Sequence, residues 1–260
     1  MFKNTKRYTG YWLADELKTS KLEAGQRIKN TNNGPPYMVV CEQMESLIPT
    51  GEFWPNRLWR VCVIKLGDMS NTVPNVWYRR ANEIELIEEI PVGMLFGPHG
   101  ERILPLFSQV MELTSTEVNA LHANNTSHSA AQAAYTSAWR HWNKNLKHPR
   151  SHTYEQEQGM TIASPPGSDR KNSPINYGFS LINDLVWRRA RELDGENAFI
   201  KYIEDGQTEI ELNEHWRTTS SAFLHKAMEL SMAQYLSSIE CEALTQLWSS
   251  VFGHENSKEF

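Results

Sequence analysis

The N-terminal third of the chain shows the two-residue alternation of apolar and polar positions that is typical of β-strands. The clearest case is 58–66, where Trp59, Val61 and Val63 fall on one face and Arg60 on the other. Three further short apolar segments are predicted as strands, at 37–41, 76–80 and 83–88.

The rest of the N-terminal region predicts one helix and a boundary. A short helix is expected over 15–24, because Gly25 is a residue type that commonly ends helices. Together with the strands it predicts a small mixed, barrel-like domain over 1–97. Glycine and proline punctuate the next stretch, so 98–113 is expected to be a connector.

From residue 114 onward the apolar positions recur every three or four residues, which is the period of an amphipathic helix. Thr114 and Glu117 have the spacing of a capping box and predict the start of the first helix. One apolar stripe then follows, made of Ala131, Tyr135, Trp139, Trp142 and Leu146.

The remaining pattern is also helical, with one interruption. The segment 155–178 is polar and rich in proline, glycine and serine, which predicts a loop. A short helix is expected around 199–203, and a longer one over 224–239 that Thr219 or Ser220 would cap. The predicted fold class is therefore α+β, with a small β-rich N-terminal domain followed by a helical region over 114–260.

Composition and charge narrow the class of protein without identifying its function. The 260 residues are 40% hydrophobic and 22% charged, with a net charge of −5. These values are those of a globular protein and exclude collagen, coiled-coil rods and a wholly disordered chain. Because no stretch approaches 18 apolar residues and no signal-peptide pattern is present, we expect a cytoplasmic protein with no membrane contact.

The three cysteines, Cys41, Cys62 and Cys241, form no metal-binding or redox motif. Free thiols in a reducing compartment are expected, with a Cys41–Cys62 disulfide as the alternative for an exported protein. His148 and His152 have a metal-like spacing, but Pro149 between them prevents a shared helix face. No metal site is therefore predicted. The chain also lacks the Gly-x-Ser-x-Gly, Walker and GxGxxG motifs.

One arrangement resembles compact ADP-ribosyltransferase-type domains. The segment Arg7-Tyr8-Thr9-Gly10 is followed by a glycine turn at Gly25 and, later, by the acidic strand at 83–88. The resemblance implies an opening strand, NAD as cofactor, Arg7 as an NAD contact and Glu83 or Glu85 as the catalytic carboxylate. Such a carboxylate binds a ribose hydroxyl and stabilises an oxocarbenium-like transition state. The opening motif has Thr9 where that family often has histidine.

The charges are segregated along the predicted Trp-containing helix. No acidic residue occurs between Glu117 and Glu155. That window contains a basic, aromatic segment made of Trp139, Arg140, Trp142, Lys144, Lys147 and Arg150. Basic residues interleaved with aromatics can bind nucleic acid, and a basic helix can also dock on an acidic protein surface.

A second resemblance concerns uncharacterised phage and actinobacterial proteins that pair a small N-terminal β domain with Ala/Trp-rich helices. It is carried by 81–91, by Gly97-Pro-His-Gly100, by the helix containing Tyr135, Trp139 and Trp142, and by the Leu244-to-Trp248 tail. It implies a phage or mobile-element accessory protein, for instance an inhibitor of a host protein, and carries no site residues.

The sequence thus favours a non-enzymatic binding protein that engages or inhibits a protein partner through the residues of 139–150, with no cofactor. One alternative is an NAD-using ADP-ribosyltransferase-like enzyme with Glu83, Glu85 and Arg7 at its site. The other is a nucleic-acid-binding protein that uses the same basic helix.

Overall fold

The computed structural model of the chain describes residues 8–15, 21–30, 35–44, 47, 49, 51–52, 54–68, 78–96, 99–125, 128–145, 174–204 and 207–253. The strands in these ranges are β1 (Thr9–Asp15), β2 (Arg27–Lys29), β3 (Met38–Cys41), β4 (Asn56–Leu66), β5 (Tyr78–Ile90), β6 (Phe199–Glu204) and β7 (Gln207–Leu212). The α-helices are α1 (Leu104–Glu112), α2 (Ser115–Ala123), α3 (His128–Asn145), α4 (Pro174–Asp194), α5 (Glu214–Met232) and α6 (Ser238–Phe252). The α+β class is confirmed.

The first five strands form a small antiparallel barrel. β1 pairs with β3 and β4, and both of these also pair with β5, which closes a ring of four strands. β2 is added to β5. The alternation predicted for β4 is confirmed, because Trp59, Val61 and Val63 belong to one buried cluster, to which Ile84 and Leu86 of β5 contribute.

β5 is one strand of 13 residues, whereas the sequence suggested two strands separated near residue 82. Asn82 is a residue type common in turns, but here its backbone and side chain both support the sheet. Its carbonyl accepts a hydrogen bond from the N–H of Asn30, and its Nδ2 donates to the carbonyl of Leu66. Neighbouring strands thus hold the chain extended at this point.

The helix expected over 15–24 is wrong in its described part. Asp15 ends β1, and residues 21–25 form a turn that leads into β2, while 16–20 lie outside the described residues. Gly25 does have the positive φ that its position suggested, at 84°. Its N–H donates to the carbonyl of Leu86, so the glycine shapes a turn against β5 and does not end a helix.

The expected connector at 98–113 contains core structure. It includes the 3₁₀ turn Gly100–Arg102 and helix α1, in which Leu106, Phe107 and Val110 are buried. The glycines and prolines there mark tight turns between short helices. A Cβ on Gly100 would overlap the backbone of Gly93, so this turn depends on close backbone approach.

The capping box at the start of α2 is confirmed. The Thr114 hydroxyl accepts from the N–H of Glu117, and the Glu117 carboxylate accepts from the N–H of Thr114. The predicted loop at 155–178 is shorter at its C-terminal end, because α4 begins at Pro174, a residue suited to a first helical turn. Residues 155–173 lie outside the described residues.

Two expectations for the C-terminal region are wrong. The segment around 199–203 is strand β6 of a β-hairpin, because β-branched and aromatic residues alternate there and Asp205-Gly206 is a typical hairpin turn sequence. The cap of the following helix is Asn213, whose side chain accepts from the N–H of Trp216. Thr219 and Ser220 lie buried inside α5, and a second helix, α6, begins at Ser238.

The largest hydrophobic core joins the barrel to the helices. Cys41, Leu58 and Tyr78 of the barrel belong to the same buried cluster as residues from all six helices. The clearest junction is an aromatic triad in which Phe107 lies 5.1 Å from Trp54 and 5.0 Å from Phe96, with edge-to-face geometry. In the ranges that the structure describes, no helix has the length and apolar character needed to cross a membrane.

We expect Phe107→Ala to lower the free energy of unfolding by about 3–5 kcal/mol, because it removes a fully buried ring from the junction and leaves a cavity. Met94→Ala is the control, since Met94 is 49% exposed. Urea unfolding followed by circular dichroism measures both variants. Equal midpoints for the two would contradict the placing of α1 in the core.

Candidate functional site

The acidic strand proposed as catalytic forms ion pairs along its whole length. Glu83 lies 3.9 Å from Lys29 and 4.0 Å from Arg27, both on β2. Glu85 accepts a hydrogen bond of 3.1 Å from Nε of Arg27. The structure therefore brings Glu83 and Glu85 together on one side of β5, beside two cations.

The other two glutamates of β5 pair with β4. Glu88 lies 3.1 Å from Arg60, and Glu89 accepts two hydrogen bonds of 2.6 Å from Arg57. The hydrogen bonds from Arg57, helped by its charge, hold the pKa of Glu89 below its ordinary value. Opposite charges on neighbouring strands stabilise a sheet, so this row of acids has a structural role.

These contacts limit what Glu83 and Glu85 can do chemically. A catalytic carboxylate in an ADP-ribosyltransferase-like site needs an oxygen directed at the substrate ribose, whereas here Arg27 lies against both side chains and Lys29 lies against Glu83. Arg7, the expected NAD contact, lies outside the described residues. Within the described ranges, no group of three His, Cys, Asp or Glu side chains is arranged to hold a metal ion.

A second polar cluster, which the sequence did not indicate, lies at one end of the barrel. The guanidinium of Arg79 lies 5.1 Å from the centre of the Tyr8 ring. Burial, together with the charge of Glu42, raises the pKa of Tyr8 to about 12, although Arg79 lowers it. The Tyr8 hydroxyl has no hydrogen-bond partner among the described residues. No motif in the sequence links these positions, because the barrel alone brings 8, 42 and 79 together.

The three cysteines are free thiols, as expected for a reducing compartment. Cys41 is fully buried in the core that joins barrel and helices, and burial raises the pKa of its thiol. The Cys41–Cys62 disulfide considered as an alternative is not formed.

The expected partner-binding helix, α3, is fixed to the body by its aromatic side. Trp139 is only 3% exposed, and its ring centre lies 6.1 Å from that of Tyr135 and 5.2 Å from that of Phe179. Trp139 is therefore a core residue, and its assignment to the partner-binding surface is wrong. The helical stripe that contains it already had the period of a buried face.

The opposite side of α3 is exposed. Arg140 and His141 are both exposed, and within the described residues no acidic side chain pairs with Arg140. Trp142 and Lys144 belong to the helix, but their side chains lie outside the described set, as do Lys147 and Arg150 entirely. The structure thus places one of the six predicted binding residues, Arg140, on an exposed surface.

Two arginines of α4 bind backbone groups of other elements. Nε and Nη2 of Arg189 donate to the carbonyl of Leu113 at 2.9 and 2.6 Å, which satisfies a carbonyl just past the end of α1. Nη1 of Arg188 donates to the carbonyls of Gly51 and Trp54 in the segment that leads into β4. Both arginines therefore tie α4 to other elements, in contrast to Arg140.

No protein-family model matches the chain, and no curated protein or solved structure is significantly similar to it. Function must therefore be inferred from the side chains and surfaces of this chain.

We expect Glu89→Gln to reduce stability at neutral pH, and the difference from wild type to shrink as the pH falls below about 4 and through the folded pKa of Glu89. A carboxyl whose pKa is lowered by folding stabilises the protein above its unfolded pKa, and this stabilisation is lost as the pH falls through the folded value. Urea midpoints measured across this pH range test the effect. Glu242→Gln, at an exposed position on α6, is the control. The assignment fails if wild type and Glu89→Gln lose stability in parallel on acidification.

The enzymatic alternative has a direct test. Because Arg27 pairs with both carboxylates and Lys29 pairs with that of Glu83, we expect the purified chain to consume NAD no faster than a buffer blank. The loss of NAD over time is the measurement. Turnover that Glu83→Gln or Glu85→Gln abolishes, with an unchanged circular dichroism spectrum, would contradict this expectation and support the catalytic assignment.

Proposed function

We propose that the chain is a binding protein that engages an acidic surface of a protein partner through the exposed side of α3 and the basic segment 140–150. The observation that carries this proposal is the contrast within α3. Tyr135 and Trp139 fix one side of the helix in the core, while Arg140 on the other side is exposed without an ion pair in the described structure.

The anchoring of α3 in the core favours binding by a preorganised surface. A helix that is held by buried aromatic rings presents its exposed side chains in fixed directions, so little order has to be gained when a partner docks. The sequence supplies further positive charges at Lys144, Lys147 and Arg150, with no acid before Glu155. A binding protein of this kind acts by occupying the partner's surface, as an inhibitor does.

A protein partner is favoured over nucleic acid by the character of the exposed residues. Nucleic-acid-binding modules usually combine a strongly basic domain with aromatic rings that stack on bases. This chain has a net charge of −5, and Trp139, one of the two tryptophans of the basic segment, is buried. The three free cysteines fit a reducing compartment, and we propose that the protein acts in the cytoplasm.

We expect the double variant Arg140→Glu with Lys144→Glu to weaken partner binding by about tenfold or more, because charge reversal replaces attraction with repulsion. The measurement is a tagged purification from the native cells after nuclease treatment, with the absolute mass and identity of co-eluting proteins. Arg102→Glu with Arg217→Glu is the matched control, since both arginines are exposed and lie outside α3.

The proposal requires a stoichiometric protein complex that wild type and control retain and that the α3 variant loses. Equal recovery with both double variants would contradict it. A complex that nuclease removes, with a steep dependence on salt, would instead support the nucleic-acid alternative.

A further inference from the structure

The β6–β7 hairpin exposes an unusual share of the chain's apolar surface. Ile203 is 78% exposed, Ile200 46%, Ile210 45% and Tyr202 37%. Only nine large hydrophobic side chains are exposed in the described part of the chain, and four of them lie on this hairpin. Such a concentration marks an interaction surface more often than isolated exposed residues do.

The base of the hairpin packs on the body of the protein. Phe199 and Leu212 are cross-strand partners there: Leu212 is buried, and the Phe199 ring centre lies 5.1 Å from that of Trp187. The N–H of Asn213 closes the base by donating to the carbonyl of Ala198 at 2.7 Å. Beyond the base, β6 and β7 pair only with each other among the described strands. Both outer edges therefore keep backbone groups that an added strand can pair with.

The two faces of the hairpin differ in chemistry. Cross-strand partners share a face, so Ile203, Thr208, Ile210 and Lys201 extend the face that begins with Phe199 and Leu212. This apolar face is continuous with Phe199 and Leu212, which pack in the hydrophobic core at the base of the hairpin. The other face carries Ile200, Tyr202, Gln207, Glu209 and Glu211, and the Tyr202 hydroxyl donates to Glu211 at 2.9 Å.

Charge distinguishes between the possible occupants. The acidic face carries Glu209 and Glu211, and Lys201, the only basic residue in the sequence of 199–212, is paired with Glu196 at 2.6 Å. A second copy of the hairpin would bring glutamates beside glutamates, which is destabilising in paired strands. Nucleic acid would be repelled for the same reason. A basic protein segment complements this surface.

We propose that the β7 edge accepts an extended segment of a partner protein as a third strand. In β7, Glu209, Ile210 and Glu211 alternate between the acidic and the apolar face. The added strand would therefore alternate apolar residues, which cover Ile210 on the neighbouring β7, with basic residues beside Glu209 and Glu211. A third strand also suits a lone hairpin, which is marginally stable in water by itself. This inference is independent of the proposal for α3.

The test uses the full chain and two end-blocked synthetic peptides of ten residues. One peptide alternates lysine and valine, and the other has five lysines followed by five valines, so only the alternation differs. We expect the chain to bind the alternating peptide about tenfold or more tightly than the block peptide, measured by fluorescence anisotropy. Infrared spectra of the isotope-labelled alternating peptide should show an extended conformation when it is bound.

Variants of the chain distinguish recognition at the β7 edge from a general effect of charge. Glu209→Lys with Glu211→Lys should abolish the preference for the alternating peptide, and Ile210→Ser should reduce it through loss of the apolar contact. Glu112→Lys with Glu242→Lys makes the same change of charge at exposed positions on α1 and α6 and should retain the preference. Because all these side chains are exposed, the fold should persist in each variant.

Three results would overturn the proposal. Equal or absent binding of the two peptides would show that alternation is not recognised. Equal loss in both double variants would show only a general charge effect. A dimer in light scattering that Ile210→Ser dissociates would show that a second copy occupies the hairpin.

Discussion

The meeting of Trp54, Phe96 and Phe107 is the contact on which the rest of the structure depends. Trp54 precedes the second-longest strand of the barrel, Phe96 ends the turn that leaves the barrel, and Phe107 lies in the first helix. Close packing of large rings leaves little room for the barrel and helices to move separately. Arg188 reinforces the junction by donating to the carbonyl of Trp54. The barrel and the helices therefore share one hydrophobic core.

This shared core determines which surfaces are available for binding. The glutamates of β5 are used within the barrel, where cations of β2 and β4 neutralise them. Tyr135 and Trp139 turn one side of α3 inward and leave Arg140 exposed. Beyond Phe199, the hairpin extends away from the hydrophobic core. The two exposed regions therefore differ in charge, one basic and one acidic, on a chain whose barrel charges are largely balanced.

Local sequence patterns predicted the features that depend on interactions between residues close together in the chain. The alternation of apolar and polar residues predicted the two faces of β4, and the Thr114–Glu117 spacing predicted the start of α2. Both features depend on neighbours within a few residues. The continuity of β5 through Asn82, the core position of Phe107 and the cluster of Tyr8 with Arg79 depend on distant strands and helices. At the candidate site, the basic character of α3 and the apolar stripe that contains Trp139 were both evident in the sequence, whereas Phe179, which packs on Trp139, comes from another helix and was not.

Asn213 connects the most exposed part of the described chain to one of its most buried elements. Its backbone N–H closes the hairpin on Ala198, its Nδ2 donates to the carbonyl of Asn197, and its Oδ1 caps the first turn of α5 at Trp216. Any tilt or twist of the hairpin therefore acts on the N-terminus of α5, whose Trp216 and Phe223 are fully enclosed. One asparagine therefore serves both as the closing residue of the hairpin and as the N-cap of α5, so the end of one element and the start of the next share a single set of hydrogen bonds.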